Sequence, residues 1–320
     1  MGEKERKSCE QIGIVGTGLI GTGLAALFIA NGYHVHMMGI NDSECLRGEN
    51  GVRENLYDLV KAGILPESYV NRFMQNLTIT QSYEALCDVT FVLEAVFERL
   101  DVKHSVYRKL EEYCGEHVII ASATSAISAD ELAGGLIKKN RLIVAHPWNP
   151  PHLIPCVEIV KSSFTDESVL KYAIEILESI GRKVVVLNRS IEGFIGNRIM
   201  HAMYREALYL LEQGIASAQD IDRTILYSFG PRFESVGVLE YYDSCGLDLQ
   251  NEVQTYLFPT LCTAQGPQKP VLHCLEQGKL GPKTGGGIYD WPREHQEEFR
   301  YRKSKPFFQY FKWIDPEEQV

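Results

Sequence analysis

The stretch QIGIVGTGLIGTGLAALFIANGYHVHMM, residues 11–38, constrains this chain more than any other. A short apolar run ends in a turn with Gly16, Gly18 and Gly21 in G-x-G-x-x-G spacing. An apolar helical stretch and a second strand-like run follow. Each glycine serves a separate physical need. The first makes a tight turn, the second lets the backbone approach a pyrophosphate, and the third lets helix and strand pack closely. The helix then opens at Leu19 and Ile20 with its N-terminal N–H groups facing the diphosphate. A bare glycine pattern can be only a turn; one that directly follows a strand and opens an apolar helix predicts a dinucleotide-binding β-α-β unit.

The pattern continues for about 190 residues. IGIVG, VHMM, LTIT, TFVLEA, VIIAS, LIVAH, CVEIV and VVVLN read as strands, separated by amphipathic helical stretches such as ESYVNRFMQ and KHSVYRKLEEY. SADELAGGLI opens with a Ser/Asp capping signal. Alternation of this kind predicts an α/β fold, a Rossmann-type, doubly wound, mostly parallel sheet. After RSIEGFIGNR the character changes. IMHAMYREALYLLEQG has the apolar spacing of a four-turn helix ending at Gly214, and the rest reads as an all-α second domain with a polar, aromatic tail after Trp291. The expected domains are therefore 1–190 and 191–320.

Composition narrows the function classes. With 32 basic against 42 acidic residues the net charge is −10, which argues against a nucleic-acid or anionic-membrane surface and for small-molecule chemistry. The eight cysteines (Cys9, Cys45, Cys87, Cys114, Cys156, Cys245, Cys262 and Cys274) form no CxxC pair and no metal-ligand spacing. They read as reduced thiols, with no metal expected. The charged N-terminus MGEKERKSCE lacks a secretory apolar core, the surroundings of Gly2 fit a myristoylation site poorly, and no apolar run approaches the ~18 residues of a bilayer span. A soluble, cytoplasmic protein is the expectation.

One element of the nucleotide signature is missing. An acid that binds the ribose ordinarily ends the second strand, but here the chain reads MMGIND, with Gly39 in that place. Asp42 either reaches the ribose from the loop or caps a turn. The first basic residue nearby is Arg47, so NAD leads and NADP stays open.

Together the glycine turn, LEAVFERLDVK, ASATSAIS, AHPWNPPHLIPCVEIV, EGFIGNRI and LGPKTGGGIYDW resemble, in order and spacing, the 3-hydroxyacyl-CoA dehydrogenases. The resemblance covers nearly the whole chain. It implies a second domain that supplies the substrate side and a homodimer interface, and a reaction in which a 3-hydroxyl is oxidised to a 3-oxo group as hydride passes to the nicotinamide. His146 matches the family's general base and Glu158, twelve residues later, its orienting carboxylate. The chemistry suits both residue types, since a carboxylate accepting one imidazole N–H fixes the tautomer and favours the cation formed during oxidation. Standing alone, His146 would more often be a satisfied structural histidine.

By the same resemblance Ser125 and Asn197 hydrogen-bond the reacting oxygen and help align substrate with cofactor, with Ser125 also on the cofactor side. Asn149 secures the loop or a substrate carbonyl, and Glu98 and Lys103 lie near the nicotinamide ribose. Without that context Ser125 is a helix cap, Asn197 a helix-start turn, and the other two an exposed helix face. Ala123 stands where many CoA-specific members have asparagine.

Substrate class divides the motifs. HPWNPPHLIPCVE, with its extra prolines, is closer to the gulonate-type branch of the family than to the CoA-specific pattern. Arg232 in SFGPRFESVGVLEYYD suits a free carboxylate through a bidentate pair. GPKTGGGIYDW is more similar to the CoA enzymes, and Arg47, Arg53, Lys61 and Arg72 form no dense cluster for CoA phosphates. A free 3-hydroxy acid leads over a CoA thioester. A non-catalytic structural role, known in a family that includes a lens crystallin, predicts drift at Ser125, His146, Glu158 or Asn197, and all four residue types are present.

Overall fold

The computed structural model describes residues 10–315; Gly2 and Cys9 lie outside them. Eight strands form one sheet in the order β3-β2-β1-β4-β5-β6-β7-β8. They are β1 (Gln11–Val15), β2 (His34–Met38), β3 (Leu77–Thr80), β4 (Phe91–Glu94), β5 (Ile119–Ser122), β6 (Leu142–Pro147), β7 (Cys156–Lys161) and β8 (Lys183–Leu187). All neighbours are parallel except β6 and β7, which are antiparallel. The crossovers carry α1 (Leu19–Ala30), α2 (Asp42–Lys61), α3 (Ser68–Met74), α4 (Leu100–Tyr113), α5 (Ala129–Ala133) and α6 (Glu167–Ser179).

Alternation along the strands builds two cores. Ile12, Ile14, Phe91, Leu93, Ile143, Ala145, Val157 and Ile159 face a layer that includes α1, α2 and α6. Val15, Val92, Leu142, Val144 and Val160 face the opposite layer with Tyr107 and Leu110 of α4 and Leu132 of α5. Burial on both faces is why these strands read as near-continuous apolar runs. The period of two also places any polar residue at a strand end on a definite face: His146 follows Leu142 and Val144, and Glu158 precedes Val160.

The described residues divide into two compact units, residues 10–195 with 303–315, and residues 196–302. The second unit contains α7 (Gly196–Glu212), α8 (Ala218–Tyr227), α9 (Val238–Ser244), α10 (Leu247–Leu257) and α11 (Lys269–Glu276), and α12 (Arg293–Ser304) ends at its boundary. The expectation that everything from 191 to the C-terminus belongs to the helical domain is corrected for the tail. Phe311 is buried in the core of the sheet unit, Trp313 packs at 5.6 Å on Tyr69, the Asn31 side chain donates to the Lys312 carbonyl at 2.8 Å, and Ile314 N–H donates to Ala30 at 2.9 Å. Apolar side chains and unpaired backbone groups at the end of α1 hold this segment there.

Among the described residues no helix is long and apolar enough to cross a membrane. None of their His, Cys, Asp and Glu side chains form a group that could hold a metal ion.

Candidate active site

The three glycines of the first turn are required for different reasons. Gly16 has φ of 117°, a left-handed value, and a Cβ there would stand 2.5 Å from the Ala95 carbonyl oxygen. A Cβ on Gly21 would stand 2.1 Å from the Gly16 carbonyl oxygen. Gly18, the N-cap of α1, has no protein atom within 4 Å of that position. The protein's own packing therefore does not demand glycine at 18, whereas close approach of a pyrophosphate does. Beside the turn a cleft of about 440 Å³ opens, walled by Val15, Met38, Val96, Val102, Val106 and Tyr83, with Glu44 and Arg47 at its polar end. An apolar slot ending in polar groups fits the adenosine half of a dinucleotide. Leu19 and Ile20 form the first turn of α1, with Leu19 exposed.

Asp42 is not in this cleft. It is the first residue of α2 and accepts a hydrogen bond from the Gln81 side chain at 2.6 Å. Glu44 lines the cleft instead.

Parallel register then sets polar residues along the carboxyl edge of the sheet. Glu94 ends β4 with Val15 and Ser122 as its partners on β1 and β5. Its side chain is fully buried, and its carboxylate accepts from Lys103 Nζ at 2.7 Å, Tyr107 OH at 2.8 Å, Ser122 Oγ at 2.7 Å and Val96 N–H at 3.0 Å. Such saturation is what a buried ion pair needs to offset the loss of water. Lys103 also reaches Glu98 at 3.2 Å. Glu98 in turn accepts from the Thr124 hydroxyl and from the N–H groups of Ser125 (2.9 Å) and Ala126 (3.1 Å). Partial burial pushes its carboxyl upward, but the Thr124 hydroxyl, Lys103 and the Ser125 N–H outweigh it and hold the group below the usual carboxylate range. The network fastens the loop carrying Ser125 to the end of β4 and α4, and the Ser125 residue itself stays exposed. Glu94 escaped the sequence reading, although an acid closing the apolar run FVLE was a visible signal.

At the next position along the edge, His146 and Glu158 are directly opposed in the antiparallel β6–β7 pair. His146 Nδ1 lies 3.0 Å from Glu158 Oε2, and both residues are buried. A carboxylate only accepts, so Nδ1 donates, and in the neutral imidazole Nε2 presents its lone pair. The other carboxylate oxygen, Oε1, accepts the Ile195 N–H at 2.8 Å. That donor is delivered by a turn in which Gly193 and Phe194 both take left-handed φ values, 75° and 48°. The strain at Phe194, about 1–3 kcal/mol for a non-glycine residue, is offset by burial of its ring, which stands 5.3 Å from the imidazole. Trp148 flanks the imidazole at 6.1 Å. Phe194 and the Ile195 N–H were not anticipated; no residue-type signal marks a backbone donor.

Asn149 is exposed in the loop between β6 and β7 and precedes a cis proline, Pro150. Asn197 and Arg232 belong to the helical unit. Asn197 is the second residue of α7 and half-buried. Arg232 lies in the short 3-10 turn Gly230–Glu234, exposed, with its guanidinium 4.4 Å above the Tyr241 ring. The structure thus brings Glu98, Lys103 and Ser125 into one network and His146 and Glu158 into another.

A doubly wound sheet with this glycine turn is the architecture of dinucleotide-dependent oxidoreductases. Residues 11–190 match the model of the 3-hydroxyacyl-CoA dehydrogenase NAD binding domain, and residues 193–291 that of the 3-hydroxyacyl-CoA dehydrogenase C-terminal domain. The chain is 35% identical over 229 residues to L-carnitine dehydrogenase of Oceanobacillus iheyensis, covering 71% of this chain and 73% of that one. It is 27% identical over 298 residues to 5-formyl-3-hydroxy-2-methylpyridine 4-carboxylate 5-dehydrogenase of Mesorhizobium japonicum, covering 92% and 94%. A crystal structure of 5-formyl-3-hydroxy-2-methylpyridine 4-carboxylic acid 5-dehydrogenase, described as an NAD+ dependent dismutase, superposes with a TM-score of 0.84 at 26% identity over 94% of this chain and 96% of that one. The chain belongs to the 3-hydroxyacyl-CoA dehydrogenase family and is an NAD-dependent oxidoreductase acting on a CH–OH group.

Proposed function

We propose that the protein reversibly oxidises the 3-hydroxyl of a small free 3-hydroxy acid, gulonate-like in class, with His146 as general base and Glu158 as its orienting carboxylate. The observation that carries this reading is the buried 3.0 Å cross-strand contact between the two side chains. Bound NAD supplies the hydride acceptor. His146 takes the hydroxyl proton at Nε2, Glu158 stabilises the imidazolium that results, and the Ile195 N–H prevents the carboxylate from swinging away. Ser125 and Asn197 are assigned to the reacting oxygen, where donors stabilise developing charge. Asn149 is assigned to the loop or the substrate carbonyl, and Glu98 and Lys103 to the nicotinamide ribose side.

Two facts support a free acid. Relatives carry the names of small carboxylates, L-carnitine and a pyridine 4-carboxylate. Arg232 has no carboxylate partner among the described residues, while Tyr241 holds its guanidinium plane, so its fork is available for a bidentate pair. The active form is proposed to be a homodimer assembled through the helical unit, in the reducing cytoplasm that the seven free cysteines among the described residues suit.

The test is an NADH absorbance assay on a panel of L-carnitine, gulonate, 3-hydroxybutyrate and 3-hydroxybutyryl-CoA. His146→Gln is expected to lower kcat on the preferred substrate by ~10²–10⁴ while NADH binding persists. Arg232→Met is expected to raise KM for the acid by a factor on the order of 10² with little effect on the thioester. Wild-type turnover by His146→Gln refutes the base assignment. Efficient thioester turnover that survives Arg232→Met replaces the free acid with the CoA substrate.

A further inference from the structure

At the end of β2, Gly39 occupies the place where a ribose-binding acid ordinarily stands, and Asp42 is engaged by Gln81. Glu44, in the first turn of α2 and on the cleft wall, is held differently. Its Oε2 accepts the Ile40 N–H at 3.1 Å, so its side chain runs back along the helix start and sets its carboxylate at the end of β2. Asn41 caps the same turn by accepting the Glu44 N–H at 2.9 Å.

Glycine at 39 is what makes room for this. A Cβ there would stand 3.1 Å from Glu44 Cβ and 3.0 Å from the Cys45 backbone nitrogen, tighter than ordinary van der Waals contact. A side chain at 39 and the observed course of Glu44 therefore compete for one space. Arg47 is the basic residue on the same wall, and it is turned back on its own helix, with Nη1 donating to Ser43 Oγ at 2.8 Å and Nη2 lying 3.6 Å from Glu44 Oε1.

We propose that Glu44 is the residue that selects NAD over NADP, its carboxylate transplanted from the strand end to the first turn of α2. A carboxylate there accepts from a ribose 2′-hydroxyl and repels a 2′-phosphate. By pairing with Arg47 it also withholds a cation of the cleft wall that a 2′-phosphate would recruit. This selection acts on the cofactor alone and holds whether the substrate is a free acid or a thioester.

The test is fluorescence titration of the full-length protein with NADH and NADPH in the absence of substrate, with the thermal midpoint of each variant as a folding control. Glu44→Gln keeps an acceptor for the Ile40 N–H and so keeps the turn, while removing the charge. It is expected to tighten NADPH binding about tenfold relative to NADH, the effect of deleting one nearby like charge. Adding Arg47→Ala is expected to reduce that gain to the part due to the lost repulsion, because the released guanidinium supplies the rest. Asp42→Asn is expected to leave both dissociation constants within about twofold, in keeping with an engagement outside the cleft. An unchanged NADPH/NADH ratio in Glu44→Gln, or an equal shift in Asp42→Asn, overturns the proposal. Should Glu44→Gln fold poorly, Arg47→Ala alone decides: losing the cation leaves the Glu44 charge unscreened, the ratio is expected to move further toward NADH, and no movement overturns the proposal.

Discussion

His152 sits six residues beyond the catalytic candidate, in the proline-rich loop, and is buried against α1. Gly23 allows this packing, because a Cβ there would stand 2.7 Å from the Pro151 ring and 3.2 Å from His152 Nδ1. Burial, with the positive Arg182 adding to it, pushes the imidazole down to about 4 from its ordinary 6.5. A lowered histidine value means that the unfolded chain takes the proton first as the pH falls. The stabilisation is complete above pH 6.5 and is lost progressively toward pH 4, by about 3 kcal/mol over that window. Urea unfolding of wild type and His152→Gln at several pH values checks this: the variant is expected to lose the steepest part of the decline, and an unchanged pH slope would refute it. At the same scale, Arg182 donates to the carbonyls of Pro151 and Ile154, both at 3.1 Å, so the loop behind His146 is tied down from the core side. Neither role was readable in the residue types, since a buried His and Arg look like surface residues until their neighbours are known.

At the scale of elements, the strands were legible and the tail was not. All eight strand segments read from the sequence are strands in the sheet, because burial on both faces demands continuous β-branched runs and glycine punctuates their ends. The segment 305–315 has neither a helical nor a strand period, as it forms a short 3-10 stretch and an extended end. What places it is aromatic burial against α1 and α3, a tertiary contact without a local signature. Phe311→Ala is therefore expected to destabilise the sheet unit by about 3 kcal/mol, the cost of truncating a buried aromatic. Trp313 fluorescence followed through a urea titration measures it. A midpoint unchanged from wild type would show that the tail contributes nothing to that unit.

At the scale of the whole molecule, the helical unit raises the question of assembly. Within residues 196–302 Leu208 is the one buried hydrophobic side chain among those described, while Ile199, Met200, Met203 and Tyr204 on α7 are all substantially exposed. A folded unit that leaves so much apolar surface in water ordinarily has a partner, and self-association through one surface closes most simply as a two-fold dimer. Sedimentation at micromolar concentration is expected to give about twice the 36.2 kDa chain mass, and Met203→Glu is expected to shift the protein toward monomer. A wild-type monomer under those conditions would refute the dimer.

The sequence by itself determined the doubly wound sheet, the dinucleotide turn and the identity of the histidine and glutamate twelve residues apart. Each of these is written in short-range pattern: period-two alternation, glycine spacing, and a strand-loop-strand segment. Tertiary structure alone decided what those side chains do to one another. The antiparallel register of β6 and β7 opposes His146 to Glu158, and parallel register beside them gives Glu94 its donors from Ser122, Lys103 and Tyr107. It also decided that Glu44 turns back to the Ile40 N–H while Asp42 is engaged by Gln81, because those bonds and the space over Gly39 are properties of the folded backbone. Patterns fix which face and which edge a residue occupies; distances of about 3 Å between residues far apart in sequence arise only when sheet, helix and loop are packed together.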